Sequence, residues 1–304
     1  MSDSRKSVVG VSGVFAGALS LLATLWLAAC NSSPDSVGTW YGDPQATIVP
    51  PLADEAASNE VRFLEYIRHL PRKAAFERRA FTDPRNASNQ LKYLLFKPKG
   101  FQREQTYPLV LSLHGGAPRK HFEDLVEPYL PGLAYGLGRF ISNETQDKHP
   151  CFVVAPWSNE KNWDEENIRL VMGVLASLQK EFPIDTNRIY VTGQSMGGWG
   201  TWSIITDHPG IFAAAIPICG GGEPGRASRA KNVPIWAFHG TADQVVPVEY
   251  TRQMIAALKR AGGKPLYWEY KDADHSGTAE RAYCEPELVE WLFSQRRETG
   301  VVGR

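Results

Sequence analysis

The sequence predicts an α/β fold, with a mostly parallel central sheet flanked by helices on both faces. Three observations lead to it. From residue 109 onward, short apolar runs alternate with longer stretches of helical periodicity. The runs at 109–113 and 152–155 are nearly continuous in apolar residues, as strands buried on both faces are. Glycines and polar residues gather just after these runs, where open parallel sheets build their sites.

The elements follow in order. Residues 60–70 carry Val61, Phe63, Leu64, Ile67 and Leu70 at near-helical spacing, and Pro71 ends that segment. Strands are expected at 75–82 and 90–97, the second alternating through Leu91, Tyr93 and Leu95 and closed by Pro98-Lys99-Gly100. Beyond the strands at 109–113 and 152–155, a helix is expected over 164–181. It places Ile168, Val171, Leu175 and Leu178 on one side and is stopped by Pro183. A strand at 188–192, a helix at 196–207, strands at 211–218 and 233–238, a helix at 248–261, a strand at 266–270 and a helix at 285–296 complete the series.

Of the 304 residues, 33 are basic and 33 acidic, so no net charge draws the chain to nucleic acid or another polyanion. The first thirty residues differ from the rest. Arg5 and Lys6 precede an uncharged stretch, residues 7–29, that ends in Leu27-Ala28-Ala29-Cys30. A basic start, an apolar run and a small-residue exit describe a secretory signal. The run also resembles the bacterial lipoprotein signal, which implies cleavage before Cys30 and lipidation of that cysteine. Residues 1–29 are therefore expected to be a signal peptide, 30–59 a lipidated tether rich in Ser, Pro, Gly and Asp, and 60–304 the folded domain. The expected location is exported and membrane-anchored. An exported protein could pair two of Cys151, Cys219 and Cys284, but no spacing says which; none sits in a metal-ligand pattern, and buried thiols are the expectation.

Gly193-Gln194-Ser195-Met196-Gly197 fits Gly-x-Ser-x-Gly between a strand and a helix. A serine on a strained turn needs small neighbours two residues away on either side, and the following helix offers backbone N–H groups to a developing oxyanion. The pentapeptide alone is weak, since an inert serine in a glycine-rich turn gives the same letters. Three further stretches strengthen it. His114-Gly115-Gly116 follows the strand at 109–113, His239-Gly240-Thr241-Ala242-Asp243 the strand at 233–238, and Asp272-Ala273-Asp274-His275 the strand at 266–270. The order Ser195, Asp243, His275 is that of an α/β-hydrolase triad, and each member falls at the carboxyl end of a strand.

The expected roles are Ser195 as nucleophile, His275 as base, and Asp243 as the carboxylate that holds the imidazole. The N–H groups of Met196 and Gly116 are the expected oxyanion donors, with Ala117 as the rival to Gly116. His114 and His239 are expected to shape their turns, and His208 to cap a helix or face solvent. Asp272 and Asp274 are rival acids, too near His275 in sequence to orient its ring. No metal or organic cofactor is required. Trp157 and Trp163 follow another strand end and are candidate substrate contacts, whereas Trp199 and Trp202 fit packing of a helix on the sheet.

"GQSMGGWGTW", "HPGIFAAAIPICGGG", "VPIWAFHGTADQVVPVEYT" and "EPELVEWLFSQRR" resemble bacterial α/β-hydrolases of the predicted-peptidase, poly(3-hydroxybutyrate)-depolymerase-like and feruloyl-esterase type. The resemblance covers residues 74–297 and implies a carboxylic-ester hydrolase using Ser195, Asp243 and His275. Ser276-Gly277-Thr278 stand where that family often carries an aromatic residue. Dienelactone hydrolases, a related group, use a cysteine nucleophile, which Ser195 does not supply. The expected substrate is a small or polymeric ester. A serine peptidase with the same triad, or a non-catalytic envelope-binding protein on this scaffold, would carry much of the same sequence.

Overall fold

The computed structural model describes residues 39–40, 76–116, 131–158 and 162–297. The expected signal peptide, Cys30, the helix at 60–70 and Ala117 lie outside the described residues. Among the described residues nine strands form one sheet: β1 (Thr39–Trp40), β2 (Glu77–Asp83), β3 (Asn86–Phe96), β4 (Tyr107–Leu113), β5 (Phe152–Pro156), β6 (Ile184–Gln194), β7 (Ala214–Ile218), β8 (Trp236–Gly240) and β9 (Leu266–Tyr270). Their spatial order is β1-β9-β8-β7-β6-β4-β5-β3-β2. The six strands from β4 to β9 run parallel, and β1, β2 and β3 join antiparallel at the two edges. β1 lies in the segment expected as tether, where its backbone pairs Thr39 with Glu269 and Trp40 with Trp268.

Helices cover both faces. On one, α3 (Glu165–Glu181), α4 (Met196–Asp207) and α5 (Glu249–Arg260) bury Ile168, Val171, Leu175, Ile204, Met254 and Leu258 against Leu109, Leu111, Val191 and Ala237. The opposite face receives α1 (Pro131–Ile141), α2 (Asn143–Lys148), α6 (His275–Cys284) and α7 (Leu288–Ser294). There Tyr190 meets Phe293 at 5.4 Å, Trp236 meets Trp291 at 5.3 Å, and the Thr192 and Tyr283 hydroxyls are 2.9 Å apart. Because every central residue faces a helix on one side or the other, β4, β5, β7 and β8 are buried along their whole length. This is the α/β-hydrolase fold. Among the described residues no helix is long and apolar enough to cross a membrane.

α1, α2 and α6 have no counterpart among the expected elements; α6 begins at His275, where Asp274 caps it and accepts from the Gly277 N–H at 2.7 Å. α7 starts at Leu288 and not at residue 285, since Pro286 and the break after α6 delay it. β6 extends back to Ile184, which pairs with Tyr107 of β4.

Candidate active site

The parallel register lines up the strand ends that the sequence singled out. Leu113 of β4 pairs with Gly193 of β6, Gln194 with Ile218 of β7, and Gly240 of β8 with Tyr270 of β9. Loops leaving this one edge carry Gly116, Ser195, Asp243 and His275.

Ser195 has φ 56° and ψ −121°, a left-handed backbone that a serine adopts only when its surroundings impose it. Its N–H donates to the Ile218 carbonyl at 2.9 Å, and its carbonyl accepts from the Trp199 N–H at 3.0 Å. The glycines make this turn possible. A Cβ on Gly193 would overlap the Gly197 carbonyl, and one on Gly197 would overlap the Leu113 carbonyl, so backbone packs directly on backbone. Gly198 presses on the Ile218 carbonyl in the same way, bringing α4 against β7. Gly200 instead makes room for a side chain, Trp163, whose Cγ would sit 2.7 Å from an added Cβ. Met196 is the first residue of α4, so its N–H belongs to the positive end of the helix.

The loop after β4 runs beside the serine. A Cβ on Gly115 would lie 3.5 Å from the Ser195 Cβ, and one on Gly116 would lie 3.8 Å from the Met196 Cβ. His114 fixes this loop. Its Nε2 accepts from the Ser158 N–H at 3.1 Å, so Nδ1 carries the proton and donates to the Gly115 carbonyl at 2.9 Å. Its ring lies between Trp157 at 5.1 Å and Trp163 at 5.0 Å. The Trp163 indole N–H donates to the His114 carbonyl at 3.0 Å. Both tryptophans are buried, so the structure places them beneath the loop. Trp202 is buried in the core, whereas Trp199 is half-buried and meets Tyr250 edge-on at 5.1 Å.

Asp243 and His275 meet directly, with Asp243 Oδ2 2.6 Å from His275 Nδ1. The other carboxylate oxygen accepts from the N–H groups of Val245 at 2.9 Å and Val246 at 2.8 Å. Burial alone would raise the Asp243 carboxyl. The hydrogen bonds from His239, His275, Val246 and Val245 outweigh it and hold the group well below the usual carboxylate range. Asp274 is occupied as the cap of α6, and Asp272 is exposed at φ 57°. His208 ends α4, its N–H donating to the Ile204 carbonyl at 2.8 Å.

Cys219 is buried as expected, whereas Cys284 is only half-buried, and the place of Cys219 beside the triad was not foreseen. Cys219 has φ 38°, follows β7, and lies between the serine and the histidine. Its thiol faces the Ser195 backbone and sits 3.8 Å from the His275 carbonyl. Burial pushes that thiol far above its ordinary range, so it stays protonated and inert. Cys219, Asp243 and His275 bring ligand-type atoms within 4.8 Å of one another, the one such trio among the described residues. The Asp243 oxygens already accept from two backbone N–H groups and face two imidazoles, which leaves little for a cation. No disulfide joins Cys151, Cys219 and Cys284.

The chain is similar to several esterases. Residues 156–288 match the dienelactone hydrolase family. The chain is 38% identical to a crystallised thermostable esterase, at a TM-score of 0.66, over 73% of this chain and 63% of that one. A bifunctional acetylxylan esterase/xylanase of Neocallimastix patriciarum is 33% identical over 144 residues, 46% of this chain and 20% of that protein. Feruloyl esterase D of Neurospora crassa is 26% identical over 181 residues, 57% of this chain and 60% of that one. The chain thus spans between a fifth and about three fifths of the length of these proteins.

Proposed function

We propose that the protein is a serine hydrolase that cleaves carboxylic esters through an acyl-enzyme intermediate. One observation carries the reading: Ser195 stands on a positive-φ elbow at the sheet edge where Asp243 and His275 are bonded at 2.6 Å. Ser195 Oγ attacks the acyl carbonyl carbon as its proton passes to the free nitrogen of His275. The N–H groups of Met196 and Gly116 hold the oxyanion, and the proton then leaves with the alcohol. Water repeats the sequence on the acyl-enzyme and regenerates the serine. Asp243 fixes the tautomer in which His275 Nδ1 donates, and it stabilises the imidazolium that forms.

The esterase relatives support an ester rather than a peptide substrate, and the acetylxylan and feruloyl esterases among them point to small or plant-cell-wall polymer esters. Trp157 and Trp163 serve the substrate through the loop they support, which faces the acyl carbonyl. Cys30 and the stretch before it support an exported protein held to a membrane by a lipid. A fluorophosphonate probe and a panel of acetyl, feruloyl and short hydroxyacyl esters test the activity. Ser195 should be labelled and esters cleaved while peptide amides are not. An unlabelled wild type would leave the fold without the chemistry.

A further inference from the structure

His239 ends β8, is wholly buried, and takes no part in the steps above. Its Nδ1 lies 2.7 Å from the Thr251 hydroxyl. That hydroxyl has a single proton, and it gives it to the Gly220 carbonyl at 2.5 Å. Thr251 can therefore only accept from the ring, and Nδ1 carries a proton. Nε2 faces two more acceptors, the Val246 carbonyl at 2.9 Å and Asp243 Oδ2 at 3.2 Å. An unprotonated Nε2 would set a lone pair against two oxygens at a wholly buried position; an N–H serves both. A neutral imidazole has one N–H, and this ring is surrounded by acceptors that need two.

The charges nearby fit the same account. Glu269 of β9 is the register partner of His239, but it is bound by Arg252 of α5 at 2.9 Å and by the Tyr267 hydroxyl at 2.8 Å. The Cys219 thiol, after β7, is kept protonated by burial. Asp243 is left as the counter-charge within reach, and a buried cation needs one.

We propose that His239 is a buried imidazolium that positions the catalytic carboxylate, extending the triad into a row His239–Asp243–His275–Ser195. This rests on the hydrolase reading given above. Two rings share Asp243 Oδ2, so the carboxylate is fixed from both sides and its charge is divided between them. A positive ring beside Asp243 disfavours a second positive charge on His275. Taking that charge away should therefore make His275 easier to protonate.

Ring-nitrogen NMR on the wild type, at neutral pH, tests the cation without reference to activity. Both nitrogens of His239 should be protonated, with the signals assigned by their loss in His239→Gln. If that variant does not fold, their displacement in Thr251→Ser assigns them. One unprotonated ring nitrogen overturns the proposal. The pH profile of kcat/KM on a p-nitrophenyl ester tests the coupling: in His239→Gln the acid limb should move up by about one pH unit. A limb that stays in place, with activity merely lower, reduces His239 to a packing role and also overturns it. Fluorophosphonate labelling of the wild type keeps the two readings apart. Its failure defeats the hydrolase reading, while the ring nitrogens still decide the cation.

Discussion

His275 Nδ1 and Asp243 Oδ2 lie 2.6 Å apart although 32 residues separate them in the chain. The two side chains arrive from the ends of adjacent parallel strands, β8 and β9, so the sheet sets their spacing. Asp243→Asn should place the wrong proton on the ring. A fall in kcat of about ten-thousandfold is expected, with ester KM little changed.

Asp243 also links stability to pH. Its carboxyl is depressed in the folded state, so it adds stability above the ordinary unfolded value of about 3.9, and that contribution is lost as pH falls toward the folded value. Wild-type Tm should therefore drop more steeply below about pH 5 than that of Asp243→Asn. Parallel curves in thermal scans would contradict the assignment.

Ser195→Ala should lower kcat by about a thousandfold or more and abolish fluorophosphonate labelling. Rates should also fall on acidification as His275 gains its second proton, since a doubly protonated ring accepts nothing from the serine.

Gly197→Ala should lose about 3 kcal/mol or more, because its methyl meets the Leu113 carbonyl and backbone cannot rotate away. Gly225→Ala, where an added Cβ meets nothing within 4 Å, is the matched control and should stay within about 1 kcal/mol of wild type. Denaturant titration of both variants separates local collision from a general cost of losing glycine.

Trp163→Phe keeps an aromatic ring near His114 but deletes the N–H that binds the His114 carbonyl. If the second glycine loop supplies an oxyanion donor, kcat should fall by about tenfold or more with a smaller change in KM. An unchanged kcat would move that donor elsewhere.

Much of this was legible in the sequence, for identifiable reasons. Strands β4 to β9 are apolar runs between turns, and their buried state leaves that mark directly. The glycines around Ser195 report a conformation that other residues resist. α1 was not legible, since Gly132, Gly136 and Gly138 weaken its helical pattern; Gly136 is required because a Cβ there would lie 2.6 Å from the Tyr283 hydroxyl. α6 opens on His-Ser-Gly, which hides a helix whose start is secured by Asp274. His239 was read as shaping its own turn, whereas its protons are counted only once Thr251 and Gly220 are placed around it. Pairings of that kind depend on which strands are neighbours, and no local pattern encodes it.

Gly197 rests on the carbonyl of Leu113, and Ser195 hangs its N–H on Ile218, so the proposed nucleophile is located by three parallel strands. No flexible side chain intervenes to let it drift. Such a serine has no partial failure on heating: it keeps its place until the sheet itself comes apart. On the proposed mechanism, residual activity and folded fraction should therefore trace one curve with temperature, and loops exchanged around the edge should leave the position of Ser195 unchanged.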